Sequence, residues 1–248
     1  KFVAEEYVRT GSYTTVTLYG RYEAFKYETD TILADNSFDT ALIQENPPHK
    51  NSGDLFPVKD PKNESDTVLR YRQSWYGLGV AQLGYDYTDV NGKDNLTDYV
   101  RVRKGITYKI TFDYLVQGTA QGNLCQVGVA IGAPIYKYGD IGQGNYLTEG
   151  VTWYRELMSF GIGETVDTGW QTKTVFITVD KDIDLSTFDA LQLYAKGGRN
   201  GISVYFDNIK VVGLKDRSYT VKFNVNGGNA IADRTVNLAE LNNLPQAT

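Results

Sequence analysis

The residue types best able to do chemistry in this chain are its carboxylates. There are 30 Asp and Glu against 25 Lys and Arg, with one histidine and one cysteine in 248 residues. The single cysteine excludes an internal disulfide. Cys125 lies in the alternating run NLCQVGVAIG beside Val127, Val129 and Ile131 and reads as a small buried hydrophobe. The only histidine, His49, lies in the loop-like NPPHKNSG. Nucleophilic sites of the Cys/His or Ser/His/Asp kind and a His-rich zinc site are therefore disfavoured. That leaves acids, and one is oddly placed. In NGISVYFDNIKVVG, Asn200 to Gly213, Asp207-Asn208 interrupts a strand of Ile, Val, Tyr and Phe. Such an acid either caps turn amides or meets a second carboxylate, in which case a proton or a cation must lie between them.

The elements that would position it are strands. GITYKITFDYLVQG places Ile106, Tyr108, Ile110, Phe112, Tyr114 and Val116 on one face and Thr107, Lys109, Thr111, Asp113 and Gln117 on the other. TVLRYRQSW, DYVRVRKG, QTKTVFITVD and ALQLYAKGG behave similarly, and turn-rich pieces such as DVNGKDN, YGDIGQGNY and KGGRNG separate them. No long stretch has a 3.6-residue period. The pattern predicts an all-β fold, an antiparallel β-sandwich of the jelly-roll kind. A jelly roll returns its last strand beside its first, which would bring Asp207 near Asp39 in LADNSFDT. Oxygen-only donors at such a junction suit Ca²⁺.

Composition narrows the partners. A net charge of −5 with scattered Lys and Arg argues against nucleic acid. No apolar run approaches the roughly 18 residues of a membrane span. Tyrosine is abundant, with 19 Tyr beside 10 Phe and 3 Trp, and suits both sheets and wet binding surfaces. Beginning at Lys1 rather than Met, the chain reads as an excised or processed piece of a longer protein, and a single module acting as a monomer is the default expectation.

Three parts are expected. Residues 1–30 contain the strand-like SYTTVTLYGRYEAF, and residues 215–248 contain RSYTVKFNVNGG followed by a second apolar run. These resemble the closing and opening halves of the Listeria–Bacteroides repeat of bacterial surface proteins, a small β-grasp-like unit. Between them, residues 31–214 resemble carbohydrate-binding modules of families 4 and 22. The landmarks, in order, are LADNSFDT, SDTVLRYRQS, VRKGITYKITFDYLV, TGWQTKTVFITVD and ALQLYAKGGRNGISVYFDNIKVVG. The resemblance implies a non-catalytic polysaccharide-binding sandwich and a structural calcium held by the acids of the first and last strands, here Asp39 and Asp207. Asp39 stands where Glu is usual, and Asn208 where a second Asp is usual. It also implies a larger, extracellular protein, secreted or attached to the cell wall.

A ligand would lie on the outward residues of a concave sheet. Alternation assigns Arg70 and Arg72, Gln126 with Gly128 and Ala130, and Gln192, Tyr194 and Lys196 to such positions. Loop aromatics would cover sugar faces: Trp75 and Tyr76, Tyr85 and Tyr87, Tyr136 and Tyr138, Trp153 and Tyr154. Trp170 is assigned to the core. Hydrolysis would need a spaced carboxylate pair. Only Glu156 in VTWYRE is worth testing, so the reading is of a protein that is not an enzyme. β-Glucan, xylan or mannan is the expected ligand, with starch as another. An adhesin or a spacer domain is the alternative class.

Overall fold

The computed structural model describes residues 2–3, 21–22, 27–39, 41, 43, 55–72, 78–84, 99–133, 146–180, 182–199, 201–215, 218–221 and 234–237. Two antiparallel sheets drawn from residues between Thr31 and Gly213 face each other across one apolar core. The strands are β3 (Thr31–Asn36), β4 (Leu55–Asp60), β5 (Asn63–Arg72), β6 (Leu78–Gln82), β7 (Thr107–Thr119), β8 (Cys125–Gly132), β9 (Val151–Phe160), β10 (Thr165–Asp167), β11 (Gln171–Thr178), β12 (Ala190–Lys196) and β13 (Ile202–Gly213). Outside them, β1 (Phe2–Val3) pairs with β2 (Arg21–Tyr22), and β14 (Ser218–Val221) pairs with β15 (Arg234–Asn237).

The seven-stranded sheet runs β10-β7-β13-β5-β4, with β11 also on β7 and β3 also on β13; the four-stranded sheet runs β6-β12-β8-β9. The period-2 pattern explains β7. Tyr108, Ile110, Phe112 and Val116 are fully buried between the sheets, while Thr107, Lys109, Thr111 and Asp113 lie on the other face. From the opposite sheet, Cys125, Val127, Val129 and Ile131 of β8 and Leu191, Leu193 and Ala195 of β12 meet them. Tyrosine enters this core because its hydroxyl finds a partner at the rim. Tyr71 donates to the Gly197 carbonyl at 3.1 Å, and Tyr108 accepts the Arg103 amide at 2.8 Å. Burial pushes the Tyr108 phenol well above its ordinary range and the Cys125 thiol up to about 12, which makes Cys125 inert.

β13 explains the interrupting acid. Its residues Ser203–Phe206 pair with β5, and Ile209–Gly213 pair with β3. Asp207-Asn208 is the point where the strand exchanges one neighbour for the other, and there its register against β7 shifts as well. Among the described residues, the non-glycine positions with positive φ are Phe38 at 60° and Asn208 at 48°. One precedes Asp39 and the other follows Asp207. Backbone held in that region costs energy that the surrounding structure must offset.

Candidate functional site

Two places gather polar chemistry. The first is this strand exchange. Asp207 is 7 % exposed. Its carboxyl is pushed up to about 7, chiefly by burial and then by the charges of Asp66, Asp113 and Asp39, against the backbone amide of Asn208 that donates to it at 2.7 Å. Asp39 is held low by the Ser37 hydroxyl, which donates to it at 2.7 Å, and by a hydrogen bond from Asp66. Asp66 is raised by its own burial and then by Asp39 and Asp60. The structure thus brings the expected pair Asp39 and Asp207 together and adds Asp66, which nothing in its own stretch marks. Asn208 serves as a neutral bridge, its amide donating to Asp113 at 2.9 Å and to Asp207 at 3.1 Å.

The donor set fits a hard cation in type and charge, with carboxylate oxygens of which two are raised first by burial and then by their neighbours' charges. Among the described residues no group of three acids forms a ready-made metal shell. A cation there would therefore need oxygens beyond the side chains of this cluster.

The second place is the outer face of the four-stranded sheet, where register aligns three rows. Lys196, Gln126 and Ser159 form one; Val80, Tyr194, Gly128 and Glu156 the next; Gln82, Gln192, Ala130 and Tyr154 the third. The expected outward positions Gln126, Gln192, Tyr194 and Lys196 thus share this face, but they are not equally open. Gln192 is 0 % exposed, its amide donating to the Ala133 carbonyl at 2.7 Å. Tyr194 is 1 % exposed and packs with Ala130, Val80, Leu147 of the short helix Tyr146–Glu149, and Val151. Its ring sits on Gly128, where a Cβ would meet ring carbons at 2.5 Å. Burial, with Glu156 and Tyr154 adding, pushes its phenol up to about 12.

What stays accessible is the corner along β9. Tyr154 is 51 % exposed and meets Tyr194 edge-on, with ring centroids 6.4 Å apart. The Gln126 amide donates to the exposed Glu156 carboxylate, and Ser159 and Lys196 complete the rim.

Several expectations are corrected. Arg70 and Arg72 lie on β5 of the seven-stranded sheet rather than on the four-stranded sheet that carries Gln126 and Lys196, and the Arg70 side chain shares no groove with those two. The Arg70 guanidinium donates to the Ser203 hydroxyl at 3.1 Å and stacks 5.8 Å from the Tyr205 ring centre. Trp153 and Tyr154 belong to β9 rather than a loop, and Trp153 packs on the main core. Trp170 is not in the main core: with Val58 it packs against a separate cluster of Val68, Leu115 and Tyr205 on the seven-stranded sheet's outer face. Its indole donates to the nearly buried Asp60 carboxylate at 3.2 and 3.3 Å. Trp75, Tyr76, Tyr85, Tyr87, Tyr136, Tyr138 and His49 lie outside the described residues.

Fold and site define a two-sheet β-sandwich with a polar-rimmed outer face beside a sealed aromatic. Among solved structures it is similar to the CBM22-1 xylan-binding domain of Xyn10C from Paenibacillus barcinonensis, at 14 % identity and a TM-score of 0.40, covering 76 % of this chain and 98 % of that one. A family 16 carbohydrate-binding module is similar at 14 % identity and 0.33, covering 63 % and 84 %. A Stig cyclase from Fischerella sp. TAU is similar at 13 % identity and 0.33, covering 82 % and 92 %. No family model matches the chain, and no curated protein matches it.

Proposed function

We propose that this sandwich is a non-catalytic polysaccharide-binding module of a larger bacterial protein working outside the cell. One observation carries the reading: an exposed tyrosine ring, Tyr154, standing beside a pre-arranged pair of hydrogen-bonding groups, Gln126 and Glu156, with Lys196 and Ser159 at the same corner. A flat ring can cover the apolar face of a sugar while the amide, carboxylate and ammonium take its hydroxyls. The corner is shallow, so a dissociation constant in the µM to mM range follows, about −8 to −4 kcal/mol. β-Linked glucan, xylan or mannan fits an open strand-edge corner, and starch is the other ligand to try. Affinity electrophoresis against xylan, mixed-linkage β-glucan, glucomannan and starch tests this. Tyr154→Ala and Glu156→Gln should abolish the retardation that the parent shows, with Arg70→Ala as the control on the opposite sheet. No retardation by any polymer overturns the reading.

The same proposal includes a structural calcium, held by the carboxylates of Asp39 and Asp207 with backbone carbonyls completing its shell. It would neutralise the repulsion between these acids and join the last strand to the first. A rise in melting temperature with millimolar Ca²⁺, absent in Asp207→Asn, is the expected outcome. An unchanged melting temperature rejects the cation.

One observation favours the adhesin reading instead. On the seven-stranded sheet, Phe176, Lys109, Val212 and Ile32 stand in register across four strands, with Phe176 48 % and Ile32 58 % exposed. Such a row suits a protein surface better than a sugar. Retained polysaccharide binding in a Phe176→Ser, Ile32→Ser double variant separates the two.

A further inference from the structure

The chain enters and leaves the sandwich at one point. Thr31, which opens β3, is the register partner of Gly213, which closes β13. Just outside, the Lys215 amide donates to Asp30 at 2.9 Å. The Tyr27 ring lies so close to Gly213 that a Cβ there would meet it at 2.3 Å. Facing Cα atoms of paired strands are about 5 Å apart, so the whole sandwich adds almost nothing to the length of the chain that carries it.

The two arms of this joint are anchored unequally. β13 is held by β7 along Ile202–Gly213, and the Leu214 amide continues that ladder to the Thr107 carbonyl at 2.8 Å. Among the described residues, β3 has β13 as its only strand partner. None of its six residues is fully buried. The first fully buried side chain after it is Phe38, 3 % exposed, whose carbonyl accepts the Ala41 amide at 2.8 Å.

We infer that the sandwich is a lateral branch on its chain, and that tension along the chain opens it by peeling β3 from β13, pair by pair from Thr31 to the Phe38 anchor. A pull that separates adjacent ends loads the ladder's hydrogen bonds one after another. A pull along the strands would load them together and be resisted far more strongly. Such sub-global opening falls on weakly buried elements, and β3 contributes only the half-buried Leu33 and Ala34 to the core. An in-line spacer would behave in the opposite way, carrying its two attachments at opposite ends. The inference rests on β3 and β13 alone and does not depend on any ligand.

Stretching the full chain by its two ends in an optical trap tests it. The expected record has an early, low-force event that frees residues 31–37, about 24 Å at ~3.4 Å per residue, before the sandwich unfolds. Asp35 and Lys210 face each other with their charged groups 2.5 Å apart. A disulfide made from Asp35→Cys and Lys210→Cys should stop the peel at that pair, shortening the event to residues 31–34, about 14 Å at ~3.4 Å per residue, and leave the openings of the flanking strand pairs unchanged; the native Cys125 is buried and does not compete. A single-step yield of the whole sandwich, or an early event whose length the cross-link does not shorten, overturns the inference. Hydrogen exchange on the unmodified chain gives a second check. The β3 amides bonded to β13 should exchange at least tenfold faster than the β7–β13 amides, and equal protection would refute the peel.

Discussion

The outer faces of the two sheets are each partly covered, and by different physical means. On the four-stranded sheet a phenol is sealed by shape: Tyr194 lies in the space left by Gly128 and is walled by Val80, Leu147 and Val151. On the seven-stranded sheet an indole is tethered by charge, because Trp170 covers Leu115 and Val68 while donating to the Asp60 carboxylate. The strand exchange at Asp207 lies on that same sheet and is also a matter of charge. The smaller sheet's face should therefore be sensitive to volume and indifferent to pH. The larger one should tolerate volume and respond to charge and pH.

The sharpest test of the first half is Gly128→Ala. A methyl there would meet the Arg155 carbonyl oxygen at 2.4 Å as well as the Tyr194 ring. The carbonyl belongs to a paired strand and cannot give way cheaply, so destabilisation of about 3 kcal/mol is expected from overpacking. Urea denaturation measures it, and the loss should be the same at pH 5 and pH 8. A loss under 1 kcal/mol would mean that the ring is not seated as described.

Next is the pH dependence carried by Asp207. Its carboxyl is raised from the ordinary 3.8 to about 7 in the folded chain, so the folded state holds this proton more tightly than the unfolded one. That contribution is fully present below about pH 4 and is lost as the pH rises through 7. Screening at a partly solvated cluster leaves an effect of about 2 kcal/mol. Asp207→Asn should flatten the slope between pH 4 and 7. Saturating Ca²⁺ should flatten it too if the cation binds, because the ionised form is then the favoured one. A parent whose stability rises across that interval contradicts the assignment.

Trp170→Phe keeps most of the cover and removes only the indole N–H. Asp60, 5 % exposed, would keep its bond from the Lys62 amide and lose the other. Hydrogen bonds to charged groups contribute about 1.5–3 kcal/mol, so a loss near 1.5 kcal/mol is expected, with Asp60→Asn costing a similar amount. A neutral Trp170→Phe would show that the tether is dispensable and that area alone holds the indole.

The difference between the faces also explains what could be read in advance. β7 was legible because one face is consistently large and apolar and the other polar, so the two-sheet sandwich followed from periodicity. Alternation separates the faces of a strand but does not say to which sheet the strand belongs, and Arg70 was misplaced for that reason. Nor does it reveal a second, smaller cluster on an outer face. Leu115 and Tyr194 sit at outward positions of strands that read correctly, yet both are covered. β9 hides its strand character because its register against β8 shifts twice, at Val127/Gly128 and Ile131/Gly132. Its Trp153-Tyr154 pair therefore looked like a loop. The acid pair was legible as a question, since Asp207 breaks an apolar run. Asp66 was not, because it approaches Asp39 only through the exchange of β5 for β3 along β13.

The smallest expected effect on stability is the most telling for function. Tyr154 is half exposed on an edge strand, and its contact with Tyr194 is edge-on. Tyr154→Ala should change stability by no more than about 0.5 kcal/mol, as surface substitutions usually do. Tyr194→Ala leaves a cavity under the same face and should cost about 3–5 kcal/mol. If the polysaccharide is held at the β9 corner, binding follows the first substitution and stability the second. Calorimetric titration with the retarded polymer and urea denaturation of both variants separate the two roles. Binding that survives Tyr154→Ala would move the ligand off this corner even though the fold stands.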